Sequence, residues 1–332
     1  MRRIARYSFS ILIGLVLLVP GGAGCEGTPQ TRASINIAMA NFFNSWLSTY
    51  AIREKIVTSP KVDVNVTLAV DYETQILAGK FPMGAMATGQ FAVASETSDL
   101  NFKGISTYIV HEGAVKQEGV NILFVRSGSD IKSPADLVGK KVGIPELTSS
   151  AASVCLGMLK QEYGIREDQL TLVVKQNPLL LELLRKGEID AAMLGGNVSV
   201  QAFVDPAFKV LWNLDKDFFA KYGAYFFPSI LIVEDNYLRN NESVVREVYN
   251  LLKESNAYGE AHLAELAAKY AAEFGQGLTA DFYIKVYNEH SRTRMVPIEG
   301  KTQDTLMTVF ALAWERGIIT TVPDPKDIFV KW

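Results

Sequence analysis

The chain has 332 residues, with 33 lysines and arginines against 36 aspartates and glutamates, and a formal net charge of −3. Its first 25 residues hold three arginines and no acidic residue, so the remainder carries about −6. This acidic balance argues against nucleic acid as a partner, because phosphates require basic patches. The roughly 300 remaining residues exceed the usual size of one hydrophobic core, which predicts two lobes.

Residues 1–25 have the three-part build of a secretory signal. A basic start with Arg2, Arg3 and Arg6 precedes the apolar run FSILIGLVLLVP, which is shorter than the roughly 20 residues that a membrane-spanning helix needs. The small residues GGAGC then lead to Cys25. This ending resembles a bacterial lipobox, although Gly22 stands where leucine is usual. We expect export across the inner membrane and lipidation of Cys25, with cleavage and release as the alternative.

Beyond the signal, short strand-like runs alternate with helical patterns, which predicts an α/β fold with parallel sheets and crossover helices. Up to residue 119, the predicted strands are SINIAMA, VDVNVTLAV, PMGAMAT and ISTYIV, and the predicted helices are NSWLSTYAIREKIV, DYETQILAGKF and GQFAVASE. From residue 120, the chain continues with the strands VNILFVRSG, LTLVVK, DAAMLGG and FKVLWNL, the helices LTSSAASVCLGMLKQEYGI and NPLLLELLRKGEI, and a short helix and strand within DIKSPADLVGKKVGIPE. After the strand SILIVED the pattern is mostly helical, with an interruption near Gly259.

This order predicts two lobes, each with a mostly parallel sheet flanked by helices. Lobe 1 is expected to be discontinuous, formed by residues 34–119 and 229–332, and lobe 2 to comprise residues 120–228. Two hinge crossings, near residues 117–122 and 225–231, would join the lobes and suit closure on a ligand.

The stretch IKSPADLVGKKVGIPELTSSAASVCLGMLKQEYGIREDQLTLV resembles the second lobe of periplasmic substrate-binding proteins of ABC importers. The element LLRKGEIDAA and the C-terminal WERGIITTVPDPKDIFVKW resemble further parts of the same family. Nitrate, sulfonate, taurine and thiamine-pyrimidine binders are the most similar members. The resemblance implies the type II bilobal fold and a ligand cleft between the lobes. Two family features are missing, a Trp-Glu-Pro-like turn after DAA and a cysteine cluster, so specificity cannot be transferred from a relative.

Ligands of open α/β sheets bind beyond the carboxyl ends of strands, where strands lead into helices. Four such corners carry the predicted binding residues. They are Asn41, Phe42, Phe43, Asn44 and Trp46; Thr88, Gly89 and Gln90; Thr148, Ser149 and Ser150; and Gly195, Gly196 and Asn197. Tyr225, at the second crossing, is a further candidate for the cleft wall, with hinge core as the alternative.

Each corner also has a structural interpretation. The hydroxyls of Thr148, Ser149 and Ser150 precede a helix and would either help to bind a polar or anionic group or cap that helix. In the first corner, aromatic rings and amides together suit a flat ligand, or the rings belong to the core. The glycines allow close approach of a ligand, or a tight turn.

Other chemistry receives little support from the sequence. Cys155 lies in a helical pattern and is expected to be a buried, inert thiol. His111, His262 and His290 stand near no nucleophile motif, and no spacing predicts a metal site. We therefore expect no cofactor and no catalysis.

The predicted function is that of a monomeric, periplasmic or cell-surface lipoprotein that binds a small solute. The solute is expected to be aromatic or heterocyclic, with or without one carboxylate or sulfonate. ABC permease and ATPase subunits, and the membrane through the N-terminal lipid, are the other expected partners. A sensory ligand-binding protein and an enzyme on the same fold are the alternatives.

Overall fold

The computed structural model describes residues 32–98, 100–112, 120–275 and 277–331. The predicted secretion signal and Cys25 lie outside these residues. Within them, none of the helices combines the length and the apolar character needed to pass through a bilayer.

The strands, in chain order, are β1 (Ala33–Ala40), β2 (Val62–Ala69), β3 (Met83–Ala87), β4 (Phe102–Val110), β5 (Ile122–Arg126), β6 (Lys141–Ile144), β7 (Thr171–Val174), β8 (Ala191–Leu194), β9 (Phe208–Asn213), β10 (Ser229–Glu234) and β11 (Arg292–Thr293). The helices are α1 (Phe43–Arg53), α2 (Tyr72–Leu77), α3 (Thr88–Thr97), α4 (Ser150–Tyr163), α5 (Asn177–Lys186), α6 (Gly196–Val204), α7 (Leu214–Tyr222), α8 (Asp235–Ala261), α9 (Leu263–Phe274), α10 (Ala280–Lys285), α11 (Gly300–Glu315) and α12 (Pro325–Ile328).

The strands form two sheets. A six-stranded sheet has the order β11-β4-β10-β3-β1-β2, and a five-stranded sheet has the order β7-β6-β8-β5-β9. In the first, β1 pairs parallel with β2 and β3, while β10 runs antiparallel between β3 and β4. In the second, β6 pairs parallel with β7 and β8, while β5 runs antiparallel between β8 and β9. The predicted α/β class, with two sheets flanked by helices, is confirmed.

Strands β5 and β10, which run antiparallel to the strands they pair with, are the strands at which the chain enters one sheet after leaving the other. Hydrophobic runs alone predict the strands but not this reversal of direction.

Both faces of each sheet are covered, which explains why the central strands are apolar without alternation. In β10, Leu231 and Val233 pack with α8, whereas Ile230 and Ile232 pack with α3 and α11. In β5, Leu123 and Val125 pack with α4, whereas Ile122 and Phe124 pack with α5. Since successive strand residues point to opposite faces, each strand contributes to two cores.

Helix α11 contacts both halves of the molecule. Phe310 lies in the core with Phe91 of α3, while Leu312 lies in the core around Cys155 of α4. A Cβ added at Gly157 would lie 2.6 Å from Leu312 Cδ2, so this glycine permits the close approach of α4 and α11. The strands of the six-stranded sheet come before and after those of the five-stranded sheet in the sequence. The lobe boundaries proposed at residues 119 and 229 stay a prediction.

The interruption expected near Gly259 lies at His262, between α8 and α9, and Gly259 itself lies within α8, where it lets the helix approach the carbonyl of Leu47. Helix α7 was not predicted. The expectation that Cys155 is buried is confirmed, since its side chain is fully buried.

Candidate functional site

A cleft of about 730 Å³ opens where loops from the two sheets face each other. This volume lies within the range of about 300–1,000 Å³ that is usual for small-molecule sites. Its lining comes from both sheets and comprises Ala40, Asn41, Phe42, Phe43, Asn44, Tyr72, Ala85, Ala87, Tyr108, Ile109, His111, Val120, Asn121, Pro145, Glu146, Ser149, Ala151, Gln176, Asn177, Pro178, Met193, Gly195, Gly196, Asn197, Val198, Pro228, Ser229, Val286 and Ser291.

Several helices begin at this lining. The residues that precede α1, α5 and α6 are Phe42, Gln176 and Gly195, and none of them caps its helix with a side chain. The first N–H groups of a helix lack intrahelical partners and carry a partial positive charge. The cleft therefore presents backbone donors from both sheets to an oxygen-bearing group.

The first predicted corner is divided between the cleft and the core. Asn41, Phe42, Phe43 and Asn44 line the cleft, and the Asn44 amide donates to the carbonyl of Ser291 at 2.8 Å. The Phe42 side chain is 39% exposed, which leaves its ring available for contact. The structure thus brings four residues of this corner to the cleft.

Trp46 lies elsewhere. Its side chain is buried among aromatic rings, with its centroid 5.3 Å from that of Tyr270 and the guanidinium of Arg53 5.2 Å from its ring. Because an α-helix has 3.6 residues per turn, Phe43 and Trp46 lie on the same face of α1, and this face packs on α9 and α10. Phe43 contributes to both the core and the cleft lining.

In the second corner, Gly89 contacts the third corner rather than the cleft, and Thr88 contacts Phe227 and Pro228. The Gly89 N–H donates to Ser150 Oγ at 2.8 Å, and the Ser150 hydroxyl donates to the carbonyl of Pro228 at 3.0 Å. The Thr88 hydroxyl donates to the carbonyl of Phe227 at 2.7 Å. We call this contact between α3, α4 and the segment 227–228 the interhelix junction. Gln90 is partly buried and does not line the cleft.

In the third corner, only Ser149 lines the cleft. Its hydroxyl also accepts a hydrogen bond from the Ala152 N–H at 3.2 Å, so Ser149 is the N-cap of α4. The Thr148 hydroxyl donates to Glu146 Oε1 at 3.2 Å. The structural interpretation, helix capping, therefore holds for Ser149, and Ser150 belongs to the interhelix junction.

All three residues of the fourth corner, Gly195, Gly196 and Asn197, line the cleft. Gly196 has φ of +56°, a conformation that favours glycine, and it starts α6. Gly195 is extended, with φ of −125°, a conformation that any residue adopts. What keeps this wall of the cleft open is therefore the lack of a side chain at Gly195. Tyr225 lies outside the lining and packs against Phe219, with ring centroids 5.0 Å apart.

Sequence reasoning missed a fifth corner. Gln176 and Asn177 follow β7, begin α5 and line the cleft, and Asn177 Oδ1 accepts from the Gly195 N–H at 3.2 Å. The strand-to-helix rule that selected the other four corners could have selected this one as well.

Tyr72 and Tyr108 were also missed as lining residues. The Tyr108 hydroxyl lies 2.8 Å from Ser48 Oγ, and burial raises the pKa of this phenol. Tyr108 lies within β4 rather than at its end, so only the assembled sheet shows that it reaches the cleft.

His111 and Asn121 line the cleft and meet at buried Asp215 of α7. His111 Nδ1 lies 3.2 Å from Asp215 Oδ1, and the Asn121 amide donates to the same oxygen at 2.8 Å. Burial by itself would raise the pKa of Asp215, but His111 and the hydrogen bonds from Asn121 hold that pKa below its usual value. The group is therefore a carboxylate at neutral pH.

The charged lining is acidic. The described residues around the cleft include Glu146 but no lysine or arginine. A neighbouring space of about 370 Å³ shares Glu146 with the cleft and adds Asp71 and Glu73. Burial raises the pKa of Glu73, and the nearby Glu146 carboxylate raises it further. The described residues contain no group of three or more His, Cys, Asp or Glu that could hold a metal ion.

A family model described as NMT1/THI5 like matches residues 61–264. No curated protein matches the chain. The fold is similar to that of the periplasmic aliphatic sulphonate-binding protein SsuA from Escherichia coli, with a TM-score of 0.72, 15% identity, and coverage of 91% of this chain and 93% of that one.

Two further structures extend the likeness. The alkanesulfonate-binding protein SsuA from Xanthomonas axonopodis pv. citri, solved with bound MOPS, has a TM-score of 0.67 at 16% identity, with coverage of 88% and 95%. The Candida albicans CA3427 gene product, described as having the generic periplasmic binding protein fold, has a TM-score of 0.64 at 12% identity, with coverage of 90% and 96%. At such identities the likeness shows the shared fold.

Proposed function

The chain belongs to the NMT1/THI5-like family, and from that premise we propose that it is an extracytoplasmic solute receptor of an ABC importer. It captures a small organic molecule in the cleft between the two sheets and delivers it to the permease. The observation that carries this proposal is the cleft of about 730 Å³, lined from both sheets by aromatic rings, amides and helix N-termini. The sulfonate-binding relatives of the same fold support it.

The lining favours a flat polar solute, aromatic or heterocyclic. Phe42 and Tyr72 supply rings, and the amides of Asn41, Gln176 and Asn197 are among the polar groups around them. One carboxylate or sulfonate on the solute would fit at the helix N-termini. A multiply charged anion would not, because no described lining residue is a lysine or an arginine.

The proposal also concerns catalysis, cellular location and oligomeric state. We infer binding without catalysis, since two of the fold relatives named above are sulfonate-binding proteins. We further propose export, a lipid at Cys25 and a monomeric receptor that closes because the solute prefers the closed state.

A thermal-shift screen of the chain from residue 26 onwards tests this function. The screen should contain matched aromatic heterocycles, alkanesulfonates and aliphatic acids. A solute at 100 times its Kd stabilises the folded protein by about 2.7 kcal/mol, which a melting scan detects. Mass spectrometry should recover the stabilising solute unchanged, and its conversion to a product would contradict the non-enzymatic proposal.

Gly195→Leu provides a cleft-blocking variant. A Cβ at Gly195 would meet nothing closer than Asn177 Nδ2 at 3.7 Å, and the extended backbone accepts any residue, so the leucine enters the cleft without strain. Gly128→Leu is the matched control, because a Cβ there has no neighbour within 4 Å. We expect Gly195→Leu to abolish the shift and Gly128→Leu to keep it. Equal shifts in both variants would place the binding site elsewhere.

A further inference from the structure

Asp215 organises two side chains of the cleft. It is 3% exposed, and its Oδ2 accepts from the N–H groups of Val120 and Asn121, both at 2.9 Å. Its Oδ1 accepts from Asn121 Nδ2 at 2.8 Å and lies 3.2 Å from His111 Nδ1. The carboxylate is thus surrounded by groups that can donate.

This surrounding fixes the orientation of both partners. An ionised carboxylate only accepts hydrogen bonds, so the imidazole nitrogen that faces it carries the proton. His111 is therefore protonated at Nδ1. Asn121 must likewise turn its Nδ2, not its Oδ1, towards Asp215. The short separation of 3.2 Å between Asn121 Nδ2 and His111 Nδ1 arises because both groups reach the same oxygen.

In the neutral form of His111, which has its single proton on Nδ1, Nε2 accepts, and Asn121 Oδ1 accepts in either form of the ring. His111 is 5% exposed and Asn121 is 6% exposed, and both line the cleft. No described residue donates to either atom. Because both residues line the cleft, a donor group on a molecule bound there can pair with these atoms.

We propose that His111 and Asn121 contact the solute and recognise a hydrogen-bond donor edge on it, with Asp215 as the positioning residue that holds both acceptors in place. The proposal rests on the proposed function, since it assumes that a solute occupies the cleft. The class of ligand that it assigns carries N–H donors, such as a ring N–H or an exocyclic amino group. A carboxylate or sulfonate would be excluded from this end of the cleft and directed to the helix N-termini.

The position of the ring proton can be measured without a solute. Nitrogen-15 NMR of histidine-labelled protein at neutral pH, with His111→Gln to assign the resonances, should show His111 protonated at Nδ1 and unprotonated at Nε2. Asp215→Asn should shift the ring nitrogens towards a mixture of tautomers. A wild-type His111 with a proton on Nε2 would overturn the proposal.

Access to Nε2 from the cleft is tested with diethyl pyrocarbonate, a small electrophile that acylates unprotonated, accessible imidazole nitrogens. Peptide mass spectrometry should show His111 modified faster than His290, whose side chain is 2% exposed. A Cβ at Gly195 would lie 4.0 Å from Asn121 Oδ1, so Gly195→Leu should slow the reaction at His111, whereas Gly128→Leu should not.

An unreactive His111, or equal rates in the two leucine variants, would show that Nε2 does not face the cleft and would overturn the proposal. Neither measurement requires a solute. Failure of the thermal-shift screen therefore counts against the proposed function, and failure of these two measurements counts against the donor-edge inference.

Discussion

Replacing Gly89 by alanine should push helices α3 and α4 apart at the interhelix junction. A Cβ at this position would lie 2.5 Å from the Thr148 carbonyl oxygen, 2.6 Å from the Ser150 nitrogen and 2.7 Å from the Ser149 carbonyl carbon. All three are backbone atoms, so no side chain can rotate away. Helices α3 and α4 must move apart to make room for the methyl group.

The size of the effect follows from what the movement disrupts. Overpacking a close contact costs about 1–3 kcal/mol. Loss of the hydrogen bond from the Gly89 N–H to Ser150 Oγ adds about 1 kcal/mol. We therefore expect Gly89→Ala to lower the free energy of unfolding by about 2–4 kcal/mol.

Urea unfolding measures this loss, with Gly128→Ala as the matched control. Because Gly128 has open space around its Cβ position, its substitution should change the unfolding free energy by no more than about 0.5 kcal/mol. Ser150→Ala adds no volume and removes both hydrogen bonds of the hydroxyl, from the Gly89 N–H and to the Pro228 carbonyl, so its loss of stability sets an upper bound on the hydrogen-bond part. If Gly89→Ala were as stable as Gly128→Ala, the two helices would not be in backbone contact, and the interhelix junction as described would be wrong.

Two more predictions concern titratable groups. Burial raises the pKa of the Cys155 thiol to about 12, so in a chain that starts at residue 26 we expect no reaction with a thiol reagent at pH 8 until the protein unfolds; reaction at the rate of a free thiol would contradict its burial. The pKa of Asp215 is lower in the folded protein than its ordinary value of 3.8, so its contribution to stability is present above pH 3.8 and is lost as the pH falls through the folded value. Urea unfolding from pH 7 to pH 3 should show a smaller loss of stability in Asp215→Asn than in the wild type, and parallel profiles would contradict this assignment.

The sequence predicts well those features that depend on neighbours along the chain. The apolar run of β10 and the helical spacing of α4 identify their elements directly, because burial on one or two faces repeats with the period of the element. The loops that contain Asn41 and Gly195 follow strands, and this alone brings them to one edge of their sheets.

Features that depend on the approach of distant segments could not be predicted. Gly89 and Ser150 both begin helices, and the sequence offers no reason why these two helix ends should meet each other rather than a ligand. His111 and Asp215 are 104 positions apart, and their pairing needs the fold that joins β4 to α7. Trp46 was expected at the cleft because it follows a strand end in the sequence, but α1 directs its ring into the core.

Hydrogen exchange with the solute found by the screen tests the central claim, that one molecule is held between the two sheets. On binding, slower exchange is predicted together in residues 41–44 beside the six-stranded sheet and in residues 176–178 and 195–198 beside the five-stranded sheet. The protection should be absent in Gly195→Leu and present in Gly128→Leu. Protection confined to the loops of one sheet, or found away from the cleft, would contradict a receptor that captures its solute there.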